Sequence, residues 1–375
     1  MICLLPNCGS LAATARMLEL HRALEGRGAG VRVATHGGAY EPLLRDAGVE
    51  LDLLEDGEAG YLRERGARAV VTGGTETARE SSRLAGIPLV DADAGAWVPP
   101  MWERGLLPLP FEPVGIPFER LAPRAIRRRM YNARVRGESW PRGEPADLTL
   151  VTDVPELLGI TATAIDGWRP RDPAASGTGA RLKLVGPMLP RLEVPVPERV
   201  ERLLAGPRPI VYVAMPSSAA GLVRAAVGAL RPLGARILVS GPGAGLAGLE
   251  DDQVAVEGIL PSHLIMPRVD LAVVSGGQVG VQAALAAGIP FAGLPLRPEH
   301  HLNVALAERE GAARAIAPAL AATQELTAAA RALMTVPRHR AAAERLREAF
   351  ARADGAGRAA EAIIALALRV AVHPG

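Results

Sequence analysis

The stretch DLAVVSGGQVGVQAALAAGIP (270–290) decides the fold class of this chain of 375 residues. Its apolar start is typical of a buried strand, and a helix is predicted from about Gln278. Between the two, Gly276 and Gly277 let a ligand approach the backbone, because glycine has no Cβ. A helix that begins here offers unpaired N–H groups and the positive end of its dipole, and together these bind phosphate. The same pattern also occurs as a plain strand-to-helix connection.

Both halves of the chain alternate short apolar runs with helical segments. This rhythm indicates an α/β fold with parallel sheets covered by helices on both faces. The predicted strands are 2–5, 31–35, 49–54, 69–72, 87–90, 148–151 and 182–186, and after a Pro-rich segment (187–200) they are 209–214, 235–240, 254–258, 270–275 and 290–296.

We interpret the Pro-rich segment as a linker between two domains. The expected domains are an N-terminal Rossmann-like domain (1–190) and a C-terminal one (191–355), followed by a helix (356–375) that can cross back to the first. Two such sheets facing each other form a cleft, and open parallel sheets bind ligands beyond the carboxyl ends of their strands.

The composition excludes several classes of protein. A formal net charge of +2 is too small to indicate a nucleic-acid partner. The only two cysteines, Cys3 and Cys8, are too close together to staple a fold, which fits a reducing compartment. The first residues lack the pattern of a signal peptide, and no apolar run reaches the roughly 20 residues of a membrane span. We therefore expect a cytoplasmic protein.

The segment SGGQVGVQAALAAGIPFAGLPLRPEH (275–300) resembles the donor-binding signature of family 1 nucleotide-sugar glycosyltransferases, which have the GT-B fold. That signature runs HGGxGT, then xxEAxxxGVP, then a strand with Pro-Leu, then a D/E-Q pair. The preceding GILPSHLIMPRVDLAVV (258–274) is similar to the family's FVPQxxLLPRVDLVV, and LNVALAEREGAA (302–313) resembles its LNAxRVEELGAG. The resemblance implies two Rossmann-like domains facing across a cleft, with the donor bound by the second.

The resemblance also implies a role for each matched residue. Gly276, Gly277 and Gln278 would hold the pyrophosphate with backbone N–H groups. The remaining donor contacts would come from Leu260 to the base, from Glu299 and His300 to the sugar hydroxyls, and from Ser217 and Ser218 to a phosphate. The family needs no metal and no cofactor, because the nucleotide-sugar is a substrate.

Several positions depart from the family pattern. Where the signature has its first histidine, this chain has Ser275, and where it has Gly-Thr, this chain has Val279-Gly280. The position of the ribose-binding glutamate is occupied by Ala283, with Gln282 beside it. The general-base histidine that the family carries after its first strand aligns with Ala13. A base that takes the proton of the acceptor is worth about 10²–10⁴-fold in rate. The identity of the base is therefore open.

Two residues at strand ends of the first half are candidate bases. His36 follows the second strand and precedes two glycines, and an ordinary turn explains it equally well. Asp91, together with Asp93, follows the apolar run 87–90, where acceptor contacts gather in this fold, although loop capping would also use an aspartate.

Neither a metal site nor a membrane site follows directly from the sequence. Glu299, His300 and His301 are adjacent, so on a loop they cannot all face one ion, and no further ligand set is evident. The segment RAIRRRMYNARVRG (124–137) has six arginines and could form a basic face for an anionic membrane surface, or a solvated helix.

The leading hypothesis is a glycosyltransferase that moves a hexose from a UDP- or dTDP-sugar to a small or lipid-like acceptor in natural-product or cell-envelope glycosylation. Such transfer would invert the anomeric carbon. The alternative is a GT-B protein that has lost catalysis and serves as a nucleotide-binding or auxiliary subunit. A nucleotide-sugar epimerase on the same fold is a third reading.

Overall fold

The apolar runs of the sequence form strands in the computed structural model, which describes residues 1–55, 57–74, 77–106, 146–169, 181–241 and 245–372. Within these ranges the strands are β1 Ile2–Leu5, β2 Val31–Thr35, β3 Leu51–Leu53, β4 Ala69–Thr72, β5 Leu89–Ala94, β6 Leu148–Val151, β7 Arg181–Leu184, β8 Ile210–Ala214, β9 Arg236–Ser240, β10 Val254–Glu257, β11 Leu271–Val274, β12 Phe291–Gly293 and β13 Ala313–Ala315.

Helices connect these strands and cover the sheets. In the described part of the chain they are α1 Leu11–Glu25, α2 Pro42–Asp46, α3 Glu58–Glu64, α4 Thr77–Ala85, α5 Pro99–Glu103, α6 Pro155–Leu158, α7 Ala162–Asp166, α8 Glu198–Leu204, α9 Ala220–Leu230, α10 Ser262–Ile265, α11 Gln278–Ala286, α12 Pro298–Arg309, α13 Gln324–Thr335, α14 Pro337–Ala351 and α15 Gly355–Val372.

The strands form two separate parallel sheets. The first has the order β3-β2-β1-β4-β5-β6-β7, and the second has the order β10-β9-β8-β11-β12-β13. All the paired strands within them run parallel. Counted within each sheet, both follow the order 3-2-1-4-5-6 of a Rossmann fold, and the first sheet adds a seventh strand. The predicted α/β class with two Rossmann-like sheets is therefore confirmed.

The chain divides into two compact units. The first contains the first sheet, with residues up to 106, those from 146 to 191, and those from 353 onward. The second contains the second sheet and residues 192–352. The last helix, α15, thus belongs to the first unit, where it packs against α1. Gly355 begins this helix so close to the backbone that a Cβ there would lie 2.0 Å from the Pro187 carbonyl oxygen.

Two elements differ from their sequence predictions for a physical reason. β5 continues to Ala94, four residues beyond the apolar run, because Asp91 and Ala94 still pair with β6 around an irregularity in register. The sequence does not predict the edge strand β13, since its three residues, Ala313 to Ala315, are too few and too weakly apolar to give a strand pattern. Backbone pairing with β12, rather than side-chain pattern, defines it.

The described helices include none that combines the length and the apolar character of a membrane span. The arginine-rich segment 124–137 lies outside the described residues.

We predict that the core of the first unit depends on α15. Ile363 is fully buried in the cluster that includes Leu20 and Leu24 of α1, so Ile363→Ala should lower the free energy of unfolding by about 2–5 kcal/mol, the usual cost of such a cavity. Leu368 lies on the same helix but is 58% exposed. Leu368→Ala should therefore change stability by less than about 0.5 kcal/mol in the same denaturation experiment. Equal losses for the two variants would contradict the packing of α15 on α1.

Candidate functional site

The order of the second sheet reverses between β8 and β11, and open α/β sheets bind ligands at this point, beyond the carboxyl ends of the strands. Ala214 at the end of β8 is level with Val274 at the end of β11. Ser217 begins a short 3₁₀ turn after β8, and the Ser275–Gly277 turn follows β11. The topology therefore brings two of the predicted donor-binding segments to the same point of the sheet.

The two glycines of the turn have different tasks. Gly276 has φ +88°, and a Cβ there would lie 2.8 Å from both the His300 carbonyl oxygen and Val304 Cγ2. The Nδ2 of buried Asn303 donates to the Gly276 carbonyl oxygen over 3.1 Å. Gly277 has an ordinary φ of −58°, and its Cβ would meet only His300 Nε2, at 3.6 Å. Gly276 therefore sets the fold of the turn, whereas Gly277 has room for a Cβ in ordinary contact with the His300 ring.

Helix α11 begins directly after Gly277 and offers backbone donors for an anion. It has nine residues, and the first N–H groups of an α-helix have no partner within the helix. Val279, Gly280 and Ala283 are its half-buried positions in the first turns, while Gln282 is only 1% exposed. The exposed side of this helix start thus carries no charged side chain. Any anion bound here would be held by the backbone amides and the helix dipole.

His300 lies in the first turn of α12 and reaches back to the glycine turn. Its Nδ1 accepts from the Leu296 N–H over 3.4 Å, and the ring also hydrogen bonds to the backbone of Ser275. Burial is the main cause that lowers the pKa of His300 to about 4. The positive charge of Arg297 lowers the pKa further, whereas the hydrogen bond to the Ser275 backbone raises it. The ring is therefore neutral at pH 7. We expected His300 and Glu299 on a loop, but Pro298 already starts the helix.

Two further predicted donor residues lie at the same edge of the second sheet. Glu299 is exposed in the first turn of α12, where the helix dipole favours a negative charge. Leu260 is buried, 4% exposed, in the segment between β10 and α10, just before Pro261. Its side chain therefore serves packing, and only its backbone is left for a ligand.

In the first unit, His36 directly follows β2 and is held at both ring nitrogens. Nδ1 lies 3.1 Å from the Leu54 carbonyl oxygen, and Nε2 lies 3.1 Å from Glu58 Oε1. Glu58 is only 1% exposed and also accepts from Thr77 Oγ1 over 2.6 Å. Both ring nitrogens are thus engaged, so the ring must break one of these contacts before it can act on a ligand. His36 is 46% exposed, but its ring is a fixed part of this cluster.

Asp91 lies within β5, not in a loop after it. It pairs in register with Thr72, the last residue of β4, and with Thr149 of β6. Asp91 is partly exposed, but the surrounding protein desolvates its carboxyl group and raises its pKa above the ordinary value. The positive charges of Arg79 and Arg16 act in the opposite direction and lower the pKa. A carboxylate in this setting binds a proton more readily than one in water.

The two candidate bases are too far apart to act on one atom. His36 follows β2 and Asp91 lies on β5, and β1 and β4 stand between these strands. Three strand spacings amount to roughly 14 Å. Ala13, at the family's base position, is buried in the first turn of α1, where its N–H contacts Ser10 Oγ over 3.4 Å.

Sequence reasoning missed two residues of these clusters. Glu58 gave no signal, because its pairing with His36 depends on how α3 folds back on the end of β2. Asn303 lies in the matched segment 302–313, but its contact with Gly276 follows only from the packing of α12 on the turn. Among the described residues, no group of three or more His, Cys, Asp or Glu could hold a metal ion, and the thiols of Cys3 and Cys8 are free and buried.

Comparison with known proteins adds sequence relatives and fold neighbours. No model of a protein family matches the chain. The chain is 28% identical over 294 residues to a "PGL/p-HBAD biosynthesis glycosyltransferase" of Mycobacterium tuberculosis. The aligned region covers 72% of this chain and 64% of that protein. It is 34% identical over 151 residues to "4'-demethylrebeccamycin synthase" of Lentzea aerocolonigenes, covering 39% of this chain and 36% of that protein. The match thus spans less than two thirds of the length of these relatives.

Solved structures with the same fold match almost the whole chain. The glycosyltransferase VinC in complex with dTDP has a TM-score of 0.68 at 16% identity, covering 98% of this chain and 100% of its own. The glycotransferase of kitacinnamycin has a TM-score of 0.66 at 19% identity, covering 97% and 98%. These similarities confirm the predicted GT-B fold.

We predict that the two glycines of the turn respond differently to the same substitution. Gly276→Ala should lower the unfolding temperature clearly, since it combines a positive φ with two contacts of 2.8 Å. Gly277→Ala should leave the unfolding temperature nearly unchanged, because its Cβ would meet only one atom at an ordinary distance. Thermal unfolding of both variants checks this, and a Gly277→Ala loss as large as that of Gly276→Ala would show that the space at Gly277 is not open.

Proposed function

We propose that the chain is a glycosyltransferase that moves a hexose from a UDP- or dTDP-linked donor to a small-molecule or lipid-like acceptor. The observation that supports it is the Ser275–Gly277 turn at the reversal point of the second sheet, where Gly277 has room for a Cβ and α11 begins directly after it. Relatives named as glycosyltransferases, one of them for PGL/p-HBAD biosynthesis, support the same reading.

The proposed donor site stabilises the leaving group. As the bond to the anomeric carbon breaks, negative charge develops on the departing diphosphate. The N–H groups at the start of α11 point toward that charge and are fixed before the reaction, so no reorganisation is needed at that moment. These N–H groups and the helix dipole can take the place of a divalent cation, so we propose that the transfer is metal-independent. Attack by the acceptor from the face opposite the diphosphate inverts the anomeric carbon.

For the general base we propose Asp91 rather than His36. The ring of His36 is held by Leu54 and Glu58, so it must break a contact before it can take a proton. A carboxylate has several lone pairs, and hence keeps acceptor capacity even when it is partnered. Burial makes Asp91 more basic, while Arg16 and Arg79 favour its ionised form. These properties suit a group that must start as an anion and accept a proton from a hydroxyl group.

The alternative, a protein that binds the nucleotide without transferring sugar, has one observation in its favour. The position of the family's base is occupied by Ala13, whose side chain has no proton-accepting atom. Release of UDP or dTDP from the donor in the presence of an acceptor would separate the two functions, because a binding subunit retains the donor intact.

The donor site predicts a specific response to nucleotides. UDP or dTDP at about 100 times its Kd should stabilise the folded chain by roughly 2.7 kcal/mol, and NAD should not. Gly277→Val should abolish this stabilisation, because the branched side chain would occupy the space of the diphosphate. The measurement is a thermal-shift titration.

A matched control is available in the same unit. Gly228 is exposed on α9, and a Cβ there would have no atom within 4 Å. Gly228→Val should keep the full nucleotide shift. If Gly277→Val also keeps it, the diphosphate does not bind at this turn.

The proposed base predicts a separation between binding and turnover. Asp91→Asn should lower kcat by about 10²–10⁴-fold, the usual contribution of a general base. Donor affinity should stay the same, because Asp91 belongs to the first unit and the donor site to the second. His36→Gln, which alters the other candidate, is the comparison. A larger kcat loss in His36→Gln than in Asp91→Asn would assign the base to His36.

A further inference from the structure

The glycine turn has an imidazole beside it, although Ser275 has replaced the histidine of the signature. The ring belongs to His300, which comes from α12 and not from β11. A Cβ placed on Gly277 would lie 3.6 Å from His300 Nε2, so this nitrogen borders the space in front of Gly277. A diphosphate at the start of α11 would occupy that space. The ring of His300 is therefore within reach of any such ligand.

The hydrogen bonds of the ring define which nitrogen can turn to a ligand. Nδ1 accepts from the Leu296 N–H, so in the neutral ring the proton is on Nε2. In that tautomer Nε2–H is the only donor of the ring, and it is the nitrogen that lies nearest to Gly277. The Leu296 contact is long, 3.4 Å, and hence weak. Protonation at Nδ1 would remove only this contact and would leave Nε2–H as the donor.

The charges around the ring disfavour a second proton while the site has no anion. Arg297, which immediately precedes α12, lowers the pKa of His300, and Glu299 is exposed in the first turn of that helix. His301 is the next residue of the helix. The turn Ser275–Gln278 and the segment Leu294–Leu296 contain no titratable side chain. The two negative charges of a bound diphosphate would reverse this balance, since an opposite charge within about 4–6 Å favours the protonated ring.

We propose that His300 binds the diphosphate of the donor, with Nε2–H donating to a phosphate oxygen and the ring of the complex taking up a second proton, on Nδ1, as the pH falls. This inference rests on the proposed function, because it needs a nucleotide-linked donor at the turn. His300 then supplies from α12 the cationic contact that Ser275 cannot supply. It is distinct from the sugar-hydroxyl contact implied by the resemblance.

The test is proton uptake on binding, measured by isothermal titration calorimetry in buffers of different ionisation enthalpy. The probes are UDP-glucose and dTDP-glucose, whose diphosphate diesters do not titrate in this range. If the bound ring has an ordinary histidine pKa of about 6.5, affinity should rise about tenfold from pH 7.5 to pH 5.5, with uptake of about one proton at the lower pH. The direction follows because the free ring, with a pKa of about 4, is neutral at both pH values.

Variants assign the proton to one ring. His300→Gln keeps a hydrogen-bond donor but cannot become charged, so it should show neither proton uptake nor the tenfold gain in affinity between pH 7.5 and pH 5.5. His301→Gln, the neighbouring histidine, should keep both. Uptake that persists in His300→Gln, or that disappears in His301→Gln, overturns the assignment.

The wild-type chain alone also decides the question if His300→Gln does not fold. Binding of either probe without proton uptake overturns the role of His300 and leaves the proposed function standing. No binding of either probe at either pH overturns the proposed function, and this inference with it.

Discussion

The close approach of α12 to the Ser275–Gly277 turn is the contact on which the rest of the candidate site depends. Gly276 adopts a positive φ, and no Cβ fits between it and the His300 backbone or Val304. Gly293, at the end of β12, faces the same valine, since a Cβ there would lie 2.4 Å from Val304 Cγ2. Two missing side chains thus let α12 pack directly on the strand ends. This packing places Asn303 on the Gly276 carbonyl and the His300 ring beside Gly277.

The two units share a strand order but differ at the reversal point. In the first unit, Gly73 follows β4, and a Cβ there would lie 2.7 Å from Met17 Cε and 3.9 Å from Ala13 Cβ. Side chains of α1 therefore fill the space beside that glycine. In the second unit, the space at Gly277 meets only one ring nitrogen at an ordinary distance. Gly73 is thus tightly packed in the first unit, whereas Gly277 has room for a Cβ in the second, and the difference lies in which side chains face each glycine.

The sequence predicts the strands well and the site geometry only in part. Buried parallel strands are continuous apolar runs, so the boundaries of β1, β2, β4 and β6 follow directly from composition. The apolar run predicts that β5 ends before Asp91, but backbone pairing with β6 extends the strand past this residue. The contact of the His36 ring could not be predicted, since its partner Glu58 becomes a neighbour only when α3 packs at the end of β2. The contact of His300 with Leu296 is local, four residues apart, and it follows from the start of α12 at Pro298. The local sequence pattern therefore predicts strands and turns, whereas tertiary packing determines which hydrogen-bond partners the side chains of the site have.

The place of α15 in the first unit has a consequence for how the chain folds during synthesis. Domains generally fold as units while the ribosome still adds residues, with the N-terminal one first. Here the cluster that contains Leu20 and Leu24 also needs Ile363, which is translated after the whole second unit. Until then, one apolar face of α1 stays uncovered. The second unit can complete its core while the nascent first unit is still exposed to chaperones, so the order of maturation is expected to be the reverse of the order of translation.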